Sequence, residues 1–164
     1  MVKIGLISDT HSYLDDAVFK HFGNCDEIWH AGDIGVIEVA EKLAAFKPFK
    51  AVYGNIDTTD VRAVYPEHLR FNCEQTDVWI THIGGYPDRY SPLVKPEIYN
   101  NPPKLFICGH SHILKVIYDK KINCLHLNPG AAGKQGWHKV RTLMRFAIDE
   151  DKIRDLQVIE LAGR

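Results

Sequence analysis

The run Lys3–Ser8 (KIGLIS) is apolar along nearly its whole length. Such a run suits a strand buried on both faces, and strands of that kind belong to parallel sheets covered by helices. The residues after it keep to that scheme. Asp15–Phe22 carries Ala17, Val18 and Phe22 at helical spacing, and Glu27–His30 reads as a second strand that stops at Ala31-Gly32-Asp33. Val36–Phe46 places Val36, Val39, Ala40, Leu43 and Phe46 on one helical face. Pro48 stops that helix, and Phe49–Tyr53 forms a third strand ending at Gly54-Asn55. Strands alternating with helices at this pitch predict right-handed βαβ units and a parallel sheet.

The second half changes character. Leu69–Cys73 and Asp77–Thr81 read as two strands joined by the polar turn Glu74-Gln75-Thr76. Tyr86–Pro103, rich in Pro, Tyr and Asn, predicts an irregular segment with one short helix, and Lys104–Cys108 a strand ending at Gly109-His110. Further strands are expected at Leu114–Tyr118, Cys124–Leu127, Arg141–Ile148 and Ile153–Glu160, the last two joined in a hairpin at Glu150-Asp151. A parallel-leaning half followed by an antiparallel-leaning half predicts two sheets packed face to face with helices outside. No linker or repeat divides the 164 residues, so one domain over 1–164 is expected.

Composition narrows the function classes. A formal net charge of −1 leaves no basic footprint, so general nucleic-acid binding is not expected, although a nucleotide substrate remains open. Cys25, Cys73, Cys108 and Cys124 form no CxxC pair, which argues against a zinc knuckle and fits free thiols in a reducing cytoplasm. No apolar run reaches membrane-spanning length, and MVKIGLISDTH lacks the pattern of a signal peptide. A cytoplasmic location without membrane attachment is the expectation.

The chemistry gathers where the strands end. Asp9-Thr10-His11, Gly32-Asp33, Gly54-Asn55, His82 and Gly109-His110-Ser111-His112 each follow a short apolar run. Each has a plainer role available: Asp9 or Asp33 as a helix cap, Asn55 as a turn residue, His82 as a packed histidine. Five strand ends bearing nitrogen or oxygen ligands in one short chain point instead to a metal centre, because ligands collect at the carboxyl ends of strands in open α/β sheets. Without thiolates the set suits Mn, Fe, Ni or Zn. His21, His68 and His138 lie outside every motif and are expected to be dispensable.

In this order the motifs resemble those of the calcineurin-like metallophosphoesterase superfamily, in its compact phosphodiesterase branch. The resemblance runs from Val2 to about Glu160 and includes Leu127-Asn128-Pro129-Gly130, with Ala131 where a serine is common. It implies an α/β fold, a four-layer α-β-β-α sandwich of two mixed β-sheets flanked by helices. It also implies two divalent metal ions, manganese first with nickel, iron or zinc as alternatives, bridged by Asp33. Asp9, His11 and His112 would complete one site, and Asn55, His82 and His110 the other. Cations about 3.5–4 Å apart can share and acidify a water for in-line attack on phosphorus. Asp33 is expected to give one oxygen to each ion. Asp33, Asn55, His110 and Asp57 are the expected catalytic set, with Asp57 and His30 as candidates to orient the imidazoles.

One departure bears on substrate. Many relatives carry a histidine after Gly-Asn that protonates the leaving group, and here that position is Ile56. Phosphodiesters with good leaving groups are therefore the expected small-molecule substrates, with Asn55, Arg62 and Arg89 as expected contacts. A phosphomonoesterase or nucleotidase is one alternative. Another is a non-catalytic scaffold of the kind the same fold supplies in the retromer complex. Exposed sheet edges could also pair into a homo-oligomer.

Overall fold

The computed structural model describes residues 1–163. Its elements in chain order are β1 (Val2–Ile7), α1 (Ala17–His21), β2 (Glu27–His30), α2 (Ile37–Phe46), β3 (Phe49–Ala51), α3 (Thr59–Val64), β4 (His68–Cys73), β5 (Thr76–Thr81), β6 (Gly85–Tyr86), β7 (Arg89–Tyr90), α4 (Lys95–Asn100), β8 (Leu105–Ile107), β9 (Lys115–Asp119), β10 (Cys124–Asn128), β11 (Thr142–Asp149) and β12 (Lys152–Glu160). Two five-stranded sheets result, ordered β12-β11-β1-β2-β3 and β4-β5-β8-β10-β9.

Residue alternation builds the layers. On β1, Ile4 and Leu6 turn inward and meet Val78, Ile80, Leu105 and Ile107 of the second sheet, with Trp29 and Phe146 in the same core. Ile7, one residue out of phase, faces the other way, where α1–α3 lay Val18, Phe22, Val39, Leu43 and Val61 against it. On the far side of the second sheet, Val94 and Ile98 at α4 cover Trp79 and Phe106. Apolar side chains on both faces of each sheet make the run Lys3–Ser8 the expected doubly buried strand. The four-layer α-β-β-α sandwich of two mixed sheets is thus the observed fold.

The division of the chain into a parallel and an antiparallel half is corrected. Strands β1, β2 and β3 are parallel, as expected. The C-terminal hairpin β11–β12, however, returns to the first sheet, where β11 runs antiparallel to β1 and pairs Val2 with Ile148. The second sheet has a parallel centre, β5-β8-β10, because the segment between β5 and β8 is long enough for a crossover. Within that segment α4 is the expected short helix, and the hairpin β6–β7 is additional. Two-residue strands carry too little alternation to be read from sequence, and the six-residue α3 is a further addition.

This topology aims the ligand-bearing loops at one place. The parallel strands β1, β2 and β3 deliver Asp9, Asp33 and Asn55 beyond their carboxyl ends, and β5 and β8 deliver His82 and His110 from the facing sheet. The two sets are tied together, as His110 N–H donates to Asp9 Oδ2 at 3.1 Å and His82 Nδ1 lies 2.8 Å from Ala31 O. All four cysteines are buried free thiols. Among the described residues no helix is long and apolar enough to cross a membrane.

Candidate metal centre

Two clusters form at this rim: Asp9, His11 and His112, and beside them Asp33, His82 and His110. In each, ligand atoms lie within 4.8 Å of one another, close enough to hold one ion. The division matches the two sites implied by the sequence resemblance. Asn55 joins the second cluster, with its Oδ1 3.1 Å from His110 Nδ1.

The backbone is bent for the purpose. Asp9, His11, Asp33, His110 and His112 all have positive φ, between 44° and 72°. Left-handed backbone disfavours residues with a Cβ by roughly 1–2 kcal/mol each. Five such residues at one point mark a site where geometry outweighs local preference. Gly109 serves the same end by its size. A Cβ there would meet Asp9 Oδ2 at 2.6 Å, so only glycine lets the β8 loop close over Asp9.

Each carboxylate has one oxygen held and one presented. Asp9 Oδ2 accepts from Ser8 Oγ at 2.6 Å and from His110 N–H at 3.1 Å. Its Oδ1 is buried without a hydrogen-bond partner and faces His112 Nε2 at 3.1 Å. Asp33 Oδ1 accepts from Ile56 N–H at 3.1 Å, while Oδ2 lies 3.3 Å from His11 Nε2 and 3.1 Å from His82 Nε2. Oδ2 thus faces a histidine of each cluster.

Burial by itself would raise the pKa of both carboxyls, but the surrounding imidazoles hold each well below its ordinary value. Hydrogen bonds to Asp33 and then Asp9 push His11 up to about 9. These shifts mark a concentration of negative charge at the centre.

Outer partners set the imidazole tautomers. His82 Nδ1 lies 2.8 Å from Ala31 O, and a carbonyl only accepts, so Nδ1 carries the proton and the buried Nε2 is left as a lone pair. His138 does the same for His112. Its Nε2 donates to Gly133 O at 2.8 Å, so in the neutral ring Nδ1 accepts from His112 Nδ1–H at 3.3 Å. Nε2 of His112 is then free to face Asp9. His138, placed outside every motif by the sequence, thus contacts a candidate ligand. The signal for it was weak: a histidine in the glycine-containing stretch Gly133–His138 that follows Asn128-Pro129-Gly130. Asn128 itself holds the histidine loop, donating to Gly109 O at 3.0 Å and Ser111 Oγ at 3.2 Å.

His138→Ala is expected to weaken metal binding about tenfold, at the lower end of the effect usual for such partners. His21→Ala should leave it unchanged. Calorimetric titration of metal-free protein checks both, and equal affinities across wild type and the two variants would remove His138 from the centre.

Three other expectations are placed differently. Asp57 does not face the cluster. Its carboxylate accepts from Ile34 N–H at 3.1 Å, Gly35 N–H at 2.8 Å and Gly54 N–H at 2.7 Å, clamping the Asp33 and Asn55 loops together. It is a positioning residue. His30 is wholly buried, with Nδ1 accepting from Gly32 N–H at 3.1 Å and Nε2 3.0 Å from Thr10 Oγ1. Burial pushes its pKa down to about 3, so it stays neutral and braces the loop between Asp9 and His11 rather than an imidazole ligand. Arg89 is exposed on β7 and is absent from the clefts that reach His110 and His82, whereas Tyr86, its partner across the hairpin, lines one of them.

Arg62 stays close. Its guanidinium stacks on Tyr53, with its carbon 4.5 Å from the ring centre, and donates to Asp57 O and Asn55 O. It also lines a cleft with Asn55, His82 and His68.

The fit to a metal can be judged from the protein alone. Asp9 Oδ1, His11 Nε2 and His82 Nε2 are buried without hydrogen-bond partners. Leaving such atoms unsatisfied costs about 1–3 kcal/mol each, more for a charged group. Three of them converging from two loops suit a cation.

Known proteins agree in kind. The calcineurin-like phosphoesterase superfamily domain matches residues 2–151. A probable metallophosphoesterase of Methanocaldococcus jannaschii is 44% identical over 161 residues, covering 92% of this chain and 77% of that protein. Another, from Methanothermobacter thermautotrophicus, is 29% identical over 135 residues, with coverage of 78% and 76%. Among solved structures, a novel archaeal phosphodiesterase superposes with a TM-score of 0.74 at 20% identity, covering 97% of this chain and 99% of that one. Vps29 from Chaetomium thermophilum superposes at 0.76 with 14% identity, covering 98% and 97%. At such identities the two structures speak for the fold alone.

Proposed function

The chain belongs to the calcineurin-like phosphoesterase superfamily, and from that premise we propose that it is a phosphodiesterase working with two divalent metal ions. The metal ligands would be Asp9, His11, Asp33, Asn55, His82, His110 and His112. The observation that carries the reading is the convergence of three buried, unpartnered ligand atoms around Asp9 and Asp33. Divalent cations there, manganese first and nickel, iron or zinc as alternatives, supply Lewis-acid activation of water and charge neutralisation at phosphorus.

The protein's own part is positioning. Asp33 Oδ2 sits between His11 and His82, so its charge is shared by both clusters. The Ala31 carbonyl and His138 fix the tautomers of His82 and His112. Asn55 and His110 are exposed at the lip and are the ligand residues that an incoming phosphoryl group meets first. Arg62 stands beside Asn55, where its positive charge favours an anionic ester.

Diesters are favoured over monoesters for two reasons. Ile56 carries no proton for an alkoxide leaving group. Clefts also leave His110 on two sides, one past Tyr86 and Pro92 and the other past Ile113 and Trp137, giving room for two ester arms. The fold is compatible with a scaffold as well, and metal-dependent turnover separates the two readings.

The test is reconstitution of metal-free protein with Mn, Ni or Zn against bis(4-nitrophenyl) phosphate, 4-nitrophenyl phosphate and a nucleotide. Metal-dependent diester turnover at least about tenfold above monoester turnover is expected, a difference of about 1.4 kcal/mol in barrier. Turnover without metal, or none with any of the three, would sink the reading.

A further inference from the structure

Trp137 stands out from the other tryptophans. Trp29 and Trp79 are 0% and 5% exposed, whereas Trp137 is 99% exposed. An indole left entirely in water forgoes the burial that makes the side chain stabilising. The surrounding loop is nonetheless fixed. Gly133 N–H donates to Asp9 O at 3.0 Å, and His138 bonds back to Gly133 O while its ring packs on His112 at 5.1 Å. Trp137 lies between Gly136 and His138 in this loop, so it is carried on the same anchor as the candidate metal ligands.

The cleft that Trp137 lines begins at His110 and His112 and runs past Ile113, itself 54% exposed. Its volume of about 360 Å³ is within the size range of small-ligand sites. A phosphoryl group at the histidines would direct one of its ester arms along this cleft towards the indole.

We propose that Trp137 is a stacking platform for a planar aromatic ring carried on one ester arm of the phosphodiester, making this chain selective for aryl or nucleoside esters. The inference rests on the phosphodiesterase reading above and adds the substrate class. The ring chemistry is common to a nucleobase and a simple aryl group. Stacking needs no hydrogen-bond readout, and the chain's net charge of −1 offers little attraction for a long polyanion. A small ester with one ring is what the cleft can hold.

The experiment uses three monoester probes on manganese-loaded protein: adenosine 5′-monophosphate, phenyl phosphate and ribose 5-phosphate. Binding is read by calorimetry, and by quenching of tryptophan fluorescence, to which Trp29 and Trp79 give a buried background. Wild type should bind adenosine monophosphate about tenfold more tightly than ribose 5-phosphate. In Trp137→Ala that ratio should fall towards one, and Trp137→Phe should keep most of it. Loss for both ring-bearing probes identifies any aryl group as the ligand, whereas loss for the nucleotide alone identifies a nucleobase.

An unchanged ratio in Trp137→Ala overturns the proposal, as does equal weakening of all three probes, which would make the residue a loop support. If sedimentation shows that Trp137→Ala dissociates an oligomer with the ratio untouched, the indole serves self-association and the proposal also falls. Diester turnover, measured in parallel, separates the two ideas. A ratio of one in an active wild type removes the platform alone, and a Trp137-dependent ratio without turnover removes the phosphodiesterase reading alone.

Discussion

Asp33→Asn is expected to lower metal-dependent diester hydrolysis by at least a thousandfold, about 4 kcal/mol of barrier, and to reduce bound metal in the same preparation. The geometry explains why an isosteric change should be so damaging. Oδ2 lies between His11 and His82, and Oδ1 holds the Ile56 N–H at 3.1 Å. An asparagine with its oxygen towards Ile56 turns an NH2 group into the cluster, where a donor repels a cation. The flipped amide gives its oxygen to the cluster but sets NH2 against N–H at Ile56. Neither orientation restores the negative charge that the clusters share. Metal content by elemental analysis, with turnover on bis(4-nitrophenyl) phosphate, checks the result. Retention of more than about a tenth of the wild-type rate would mean that Asp33 does not join the two sites.

The candidate ligands are legible in the sequence because they coincide with the strand ends, and strand ends are where apolar periodicity is easiest to read. Asp9, Asp33, Asn55, His82 and His110 each follow a run whose burial is obvious, and the observed β1, β2, β3, β5 and β8 stop just before them. What escaped is whatever depends on the path of a loop. Asp57 is expected from sequence to orient an imidazole, yet its carboxylate turns to three backbone donors. His138 looked unrelated at 26 residues from His112, yet the loop through Gly136 brings the rings together. The return of β11 beside β1 was equally hidden, because an alternating pattern specifies a buried face but not which strand lies next to it. The left-handed backbone at five clustered residues is also tertiary in origin, since none of Asp9, His11, Asp33, His110 and His112 adopts it by preference.

The wild-type rate should fall steeply as the leaving group becomes less acidic, with phenolic diesters turned over well and alkyl monoesters poorly. A positioned general acid typically contributes about 10²–10⁴-fold, and the residue that would supply it in many relatives is here Ile56. Its side chain is 42% exposed on the loop that carries Asn55, and its N–H is already committed to Asp33. His30 has both ring nitrogens bonded in the interior and a pKa that burial pushes down to about 3, so it stays neutral and cannot serve as an imidazolium acid. Ile56→His should therefore raise alkyl monoester hydrolysis and flatten the dependence on leaving-group pKa. About tenfold is the expected gain, short of an evolved acid, because Asp57 is occupied by backbone donors and cannot orient the new ring. Rates across a series of phenyl and alkyl esters for both proteins give the two slopes. A shallow slope in the wild type would mean that another group protonates the leaving oxygen, and attention would move to His68, which lines the cleft beside Asn55 and His82.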